Sequence, residues 1–326
     1  MTNRRPKARW IGIDEAGYGP NLGPLVMTAV VAESAQDRTP DLWRDLEPKI
    51  QRAGAAGTAL WIDDSKAVYK AGQGRERLEA ACLALLESLG EPMPKSLEGF
   101  FCALGTGSFT DIELEPWLTD AAATDFPSLS TRSHWESVRQ CRPLESPIWR
   151  CVGVKAEVVG PSAFNAGLEA PGANKATVHF SAFRRLLEWA WNLASDGVVT
   201  RIHGDKHGGR HFYYDLLLDA LPDAWIDRGV ETPALSHYVI RMPGRRLELA
   251  LKPRADAGDG LVALASIVSK TIRELWMDGF NAFWSRQCPG IKRTAGYPVD
   301  AARFRAEIEE RASVLGLNPS RWWRVR

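Results

Sequence analysis

The stretch that most limits how this 326-residue chain can fold lies near its start. Trp10–Glu15 reads as a short buried strand, in which Ile11 and Ile13 flank Gly12 and the run ends in two acids. A turn rich in Gly and Pro follows, Ala16 to Pro24, and then a Val-rich, uncharged strand over Leu25–Ala32. Two apolar strands joined by a tight turn predict an antiparallel hairpin, with Asp14 and Glu15 closing its first arm.

Downstream, apolar positions recur at helical spacing over 75–90 (Leu78, Ala81, Cys82, Leu85, Leu86), after the helix-entry signal Asp64-Ser65. Pro92, Pro94, Pro116, Pro127, Pro143 and Pro147 punctuate the stretch 91–147, which reads as an insertion of small helices and loops. Order returns with a strand near Val152–Val159, an amphipathic helix over Val178–Leu193, and a strand at Val198–His203 ending in Gly204-Asp205. A helix over 209–220 leads to a hairpin of Tyr238–Met242 and Leu247–Leu251, turned by Pro243-Gly244. A last strong helix runs from about Gly260 to Trp284. Early strands followed by alternating helix and strand predict an α/β fold with a sheet of mixed strand direction.

Composition narrows the class. Hydrophobic residues at 45% and charged residues at 25% exclude a disordered or fibrous chain. The 41 Lys and Arg nearly cancel the 40 Asp and Glu, so bulk charge speaks neither for nor against nucleic acid. Cys82, Cys102, Cys141, Cys151 and Cys288 are odd in number and scattered, against a disulfide framework or a zinc site. The basic start MTNRRPKARW lacks the apolar segment of a signal peptide, and the apolar run Leu22–Ala32 is too short to cross a bilayer. A cytoplasmic protein with no membrane partner is expected.

Four carboxylates stand out by position. Asp14 and Glu15 close the first strand, Asp205 closes a later one, and Asp256 lies just before the last long helix. Taken singly, each reads as a solvated loop residue or a helix cap. Asp259, three residues on, is an equal candidate for the inward position. Gathered together, two carboxylates ~4 Å apart repel by roughly 4 kcal/mol at an effective dielectric near 20. Hard divalent cations relieve such repulsion, and two of them can clamp a phosphodiester.

Several segments resemble one enzyme family. GIDEAGYGPNLGPLVMTAVV, Gly12 to Val31, is similar to the opening motif of prokaryotic type 2 ribonucleases H, the ribonuclease HII and HIII group. Asp63-Asp64-Ser65-Lys66 resembles that family's Asp-Ser-Lys motif. Phe164-Asn165, Asn174-Lys175 and His179 resemble its middle region, Ile202–Asp205 the strand bearing its third carboxylate, and Asp256 with Leu264–Lys270 its fourth carboxylate and Ala-Ser-Ile helix. Gly296-Tyr297 matches its late Gly-Tyr pair.

The resemblance implies a ribonuclease H-like fold: a mixed five-stranded sheet flanked by helices, with inserted segments. Residues 1–90 and 148–326 would form the catalytic domain and 91–147 an insertion. It implies Mg2+- or Mn2+-dependent hydrolysis, with two ions, of the RNA strand in an RNA/DNA hybrid or a ribonucleotide-containing duplex. Cleavage on the 5′ side of a ribonucleotide would leave 3′-hydroxyl and 5′-phosphate ends. By position, Asp14, Glu15, Asp205 and Asp256 would be the catalytic, metal-binding carboxylates, and the family distance from Ala265-Ser266-Ile267 selects Asp256 over Asp259. Gly17, Tyr18 and Gly19 would meet the ribose 2′-hydroxyl, Tyr297 would stack on a sugar or base, and Ser65, Lys66 and Lys270 would contact phosphate.

Residue by residue, plainer readings stand beside these. Gly17 and Gly19 also suit a simple tight turn, Tyr297 a half-buried packing aromatic, and each lysine a solvated charge. His207 reads as a surface or helix-start residue or as a proton shuttle, with His211 a poor ligand for a hard ion. His179 and Asn174 read as bracing a helix. The tail Arg321–Arg326 suits either a stacking, phosphate-binding surface or a terminus docked by its tryptophans. Three departures from the family pattern matter. Tyr18 stands where ribonuclease HII has Arg, Asp205 and Asp256 are unusually far apart so that 222–252 looks inserted, and 91–147 is extra. These leave two rivals open: a non-catalytic nucleic-acid-binding relative, and a metal nuclease of the same fold acting on structured DNA.

Overall fold

The computed structural model describes residues 6–70, 74–106, 115–119, 124–138 and 144–325. Cys141, Pro143 and Arg326, singled out above, lie outside the described residues, as do the first five residues.

A mixed sheet organises the chain. β1 (Ala8–Ala16) and β2 (Leu25–Ser34) pair antiparallel across the glycine turn, with Ala16 opposite Val26. β3 (Trp149–Val159) lies antiparallel on the outer side of β2. On the other side of β1 runs β4 (Val199–Asp205), parallel to it, with Ile13 opposite Gly204. β5 (Trp225–Glu231), β6 (Ser236–Met242) and β7 (Arg245–Lys252) complete the order β3-β2-β1-β4-β7-β6-β5, β7 being parallel to β4.

Among the described residues the sheet therefore has seven strands where five were expected. The stretch 222–252 supplies a three-stranded meander, not a lone hairpin. Its extra strand, β5, buries only Ile226, so no apolar run marks it; it forms because β6 offers an unpaired edge. The helix expected over 209–220 begins at Tyr214, because Gly208 and Gly209 take left-handed φ values of 56° and 84° that no helix continues.

Helices cover both faces. On one side lie α1 (Ser65–Lys70), α2 (Gly74–Ser88) and the long α8 (Gly260–Gln287), whose Leu261, Leu264 and Ile267 share a core with Val26, Val30 and Leu85. The described parts of 91–147, with α3 (Leu97–Ala103) and α4 (Leu129–Ser137), pack into this same core through Phe100, Phe126 and Trp135. On the opposite face, α6 (Lys175–Leu193) follows the short α5 (Pro161–Ala166) and sets Phe183, Leu186 and Leu187 against Ile11, Ile13 and Ile202. Asn174 starts α6 by accepting from the amides of Ala176 and Thr177. The short α7 (Tyr214–Ala220) extends that layer. A third cluster joins the second half of α8 to α9 (Pro298–Val314), a helix the sequence pattern did not reveal, and to the carboxy-terminal tail through Trp322.

One contact sets the geometry of the site. A Cβ on Gly12 would lie 2.3 Å from the Leu261 carbonyl carbon and 2.4 Å from the Val262 nitrogen. Only glycine allows the first turn of α8 to cross β1 backbone against backbone. Among the described residues no helix is long and apolar enough to cross a membrane.

Candidate active site

β1 and β4 run parallel and side by side, so their carboxyl ends reach the same edge of the sheet. That alignment places Asp14 and Glu15 beside Asp205. β7 lies next to β4, with Lys252 opposite Asp205, and the chain then turns through Ala255–Ala257 before α8, carrying Asp256 back to that edge. The turn is held from both sides. Arg254, at a left-handed φ of 55°, donates its amide to Asp205 Oδ1 at 2.8 Å, and Arg52 Nη2 donates to the Ala257 carbonyl at 2.8 Å. Asp205 Oδ1 also accepts from the Lys206 amide at 2.8 Å.

The acids feel one another. Asp14, 8% exposed, is pushed well above the usual carboxylate range by burial and then by the charge of Glu15, with Asp256 adding to the effect and the Ser266 hydroxyl opposing it. Asp205 is raised by burial and by the charges of Glu15 and Asp256, against the amides of Lys206 and Arg254. Asp256 is raised by burial and by the charge of Asp64, with Lys66 opposing. The four acids and Asp64 thus form one electrostatically linked set. Asp259 stands apart from it: its Oδ1 caps α8 through the amides of Leu261 and Val262, and its Oδ2 lies 2.6 Å from His203 Nδ1.

The donors are all oxygen and mutually repelling, which fits a hard divalent cation in kind. Among the described residues, however, no three His, Cys, Asp or Glu side chains converge closely enough to hold one ion. The set fits by chemistry, and its side chains would have to draw inward to close around a metal.

The remaining sequence candidates fall in different places. Gly17 has a φ of 89°, and a Cβ there would meet the Pro24 carbonyl at 2.3 Å, so the turn requires glycine at this position. Gly19 faces open space. Tyr18 is half-buried, edge-on to His179 at 5.0 Å. Ser65 is buried, 3.0 Å from Ser266 Oγ, so it braces the serine that touches Asp14. The amide of Lys66 donates to Asp64 Oδ1 at 2.7 Å. Lys270 donates to Glu274 at 2.5 Å and lies over the Tyr69 ring, already engaged. Tyr297 is 51% exposed at the start of α9, 6.0 Å from the Arg273 guanidinium.

His207 is neither a surface nor a helix-start residue. It is buried among Phe183, Tyr213 and His179, and burial followed by the charges of His179 and Arg210 holds its imidazole well below the usual range. His179, also buried, lies 3.5 Å from Glu15. The tail is docked, with Trp322 and Arg324 fully buried.

Asp64, Ser266 and Arg324 border the site although none of them is a sequence candidate for it. Asp64 is visible in the sequence only as a helix-entry signal and Ser266 only as part of a helix motif. Arg324 is visible in the sequence only as part of the Trp- and Arg-rich tail, with nothing to mark its place beside the turn after Glu15.

No family model and no curated protein matches this sequence. Among solved structures, the chain is similar to a ribonuclease HII from Archaeoglobus fulgidus in complex with PCNA, at 15% identity over 97% of this chain and 94% of that one, with a TM-score of 0.40. It is similar to ribonuclease H2 from Pyrococcus horikoshii OT3 at 15% identity over 96% and 92%, with a TM-score of 0.37. For Bst-RNase HIII in complex with Mn2+ the figures are 13% identity, 98% of this chain, 67% of that one and a TM-score of 0.41. Likeness at this level establishes neither membership of a family nor an activity.

Proposed function

We propose that this chain is a divalent-metal-dependent nuclease that hydrolyses the RNA strand of RNA/DNA hybrids. What supports the reading is that Asp14 and Asp205 stand at the ends of adjacent parallel strands and that the charges of Glu15 and Asp256 reach both of them. The motif resemblance supplies the substrate class.

In this reading the four carboxylates hold Mg2+ or Mn2+, as two ions. Bound there, such ions polarise the phosphate and lower the pKa of attacking water. The chain's own residues prepare the site. Ser266, which donates its hydroxyl to Ser65, lies against the Asp14 carboxylate and favours its charged form. Two backbone amides fix Asp205. The turn after Glu15 meets the ribose, where a 2′-hydroxyl distinguishes RNA from DNA. Tyr297, half in solvent, offers a ring face for stacking. Water adds to phosphorus and the bond to the 3′ oxygen breaks, leaving 3′-hydroxyl and 5′-phosphate ends.

The test is cleavage of three labelled duplexes by purified protein with magnesium or manganese: a hybrid, a duplex with one embedded ribonucleotide, and plain DNA. Cutting of the hybrid, lost in Asp14→Asn, is expected. Cutting of plain DNA, or binding of the hybrid without turnover, would replace this reading with one of its rivals.

A further inference from the structure

The turn that follows Glu15 is gripped from inside by two buried guanidinium groups. Arg324, from the carboxy-terminal tail, donates from Nη2 to the carbonyl of Gly17 at 2.7 Å and to that of Pro20. Its own backbone is locked to the same turn, since its amide donates to Asn21 O at 2.8 Å and Asn21 Nδ2 donates back to Arg324 O at 3.1 Å. Arg273, from α8, donates to Leu22 O at 3.3 Å and Ala295 O at 2.9 Å. Asn165 ties down the tail on either side, donating to Ser320 O and Trp323 O and accepting from the Val325 amide.

This placement is costly for a structural prop. Arg324 is fully buried and packed over the Phe164 ring at 4.7 Å, and its Nε and Nη1 find no hydrogen-bond acceptor among the described residues. Burial and the nearby charge of Arg273 bring its guanidinium down to about 9. Replacing it by an apolar side chain would spare the burial of a charge but leave the Gly17 and Pro20 carbonyls without their donor. What an apolar side chain cannot do is donate to two carbonyls, as the single Nη2 of a planar, locked guanidinium does here. Because a peptide is planar and trans, turning the Gly17 carbonyl inward turns the Tyr18 amide outward. That amide lies three residues beyond the acid pair, next to the exposed Gly19.

We propose that Arg324 is a positioning residue, and that the carboxy-terminal tail sets the direction of the peptide groups with which the Gly17–Gly19 turn meets substrate. The inference rests on the nuclease reading and assigns the tail a part in substrate recognition at that site.

The test compares wild type with Arg324→Met, Arg324→Lys and Arg324→Ala. Arg324→Met relieves the buried charge but strands two carbonyls, so thermal stability falls modestly, while kcat/KM on the hybrid falls by about 100-fold, the scale of a small misplacement of substrate-orienting groups. Arg324→Lys, which keeps the charge but loses the planar group that fixes the direction of the two bonds, recovers only part. Added guanidinium ion, and not ammonium, restores Arg324→Ala, whose truncated side chain leaves room for it. Amide resonances of Gly17, Tyr18 and Gly19 shift in all three variants. Wild-type kcat and KM in Arg324→Met with those resonances unmoved would overturn the proposal. If Arg324→Met fails to fold, Arg324→Lys and the guanidinium rescue decide in its place. A wild-type protein inactive on every ribonucleotide-containing duplex would refute the nuclease reading instead, and the amide resonances would still decide whether Arg324 orients the turn.

Discussion

The backbone amide of Arg254 donates to Asp205 Oδ1 at 2.8 Å, so the carboxylate that closes β4 also shapes the turn that presents Asp256. One acid of the set thereby places another. The left-handed backbone of Arg254 is held by that bond rather than by its own preference.

Separating the two roles of Asp205 requires two variants. Asp205→Asn keeps an acceptor for the amides of Lys206 and Arg254 and should fold with nearly wild-type stability. Its cleavage rate should fall at least about a hundredfold, the scale on which one charge-stabilising group acts. Asp205→Ala leaves both amides short of a partner and should also lose roughly 1–3 kcal/mol in urea unfolding.

Gly12→Ala tests the crossing of β1 and α8. A methyl group there meets main-chain atoms of Leu261 and Val262, which cannot swing aside as a side chain can. Destabilisation of roughly 3 kcal/mol is expected, with a matching loss of activity as Ser266 retreats from Asp14. Thermal unfolding and a cleavage assay on the same preparation check it.

The acid set should make stability depend on pH and metal together. Asp14, Asp205 and Asp256 are all raised in the folded chain. Their contribution is therefore present below the ordinary aspartate value of 3.8 and is lost as pH climbs through the raised values. With chelator, urea unfolding should show falling stability over that climb, and magnesium should remove the fall. At hundredfold excess over its Kd, a bound ion adds about 2.7 kcal/mol. Asp256→Asn should gain less from magnesium than wild type; an equal gain would show that Asp256 is not a ligand.

Glu115 offers a second pH signature away from the site. Burial pushes its carboxyl up to about 8, with Arg321 opposing. Folding stability from this group is present below its ordinary value of 4.5 and lost as pH rises through about 8. Every tenfold difference in proton affinity between the folded and unfolded chain corresponds to about 1.4 kcal/mol. Glu115→Gln should flatten the stability profile between those limits, as read by urea unfolding at a series of pH values.

Much of the framework was legible because burial leaves a local imprint. Ile11, Ile13 and the Val-rich run Leu25–Ala32 alternate or cluster as buried strands must, and the structure extends them only by a residue or two at each end. The Pro243-Gly244 turn joins its two strands where expected. Elements whose stability comes from partners left no such imprint. β5 is nearly all exposed and exists by pairing with β6, and α9 buries only Ala301, Phe304, Ile308 and Ala312 among charged neighbours.

By itself the sequence determined where apolar strands run, that a tight turn rich in Gly and Pro follows Glu15, and that acids close two of the strands. Those properties depend on neighbours a few residues away. The motif resemblance had already preferred Asp256 to Asp259. Tertiary structure brings the charge of Asp256 to Asp14 and Asp205 while Asp259 caps a helix, and it alone decided that Arg324 reaches Gly17 from the far end of the chain. The reason is physical: charge–charge repulsion and buried hydrogen bonds act through space, and a linear pattern carries no record of which distant groups the packing of α8 and the tail brings within their range.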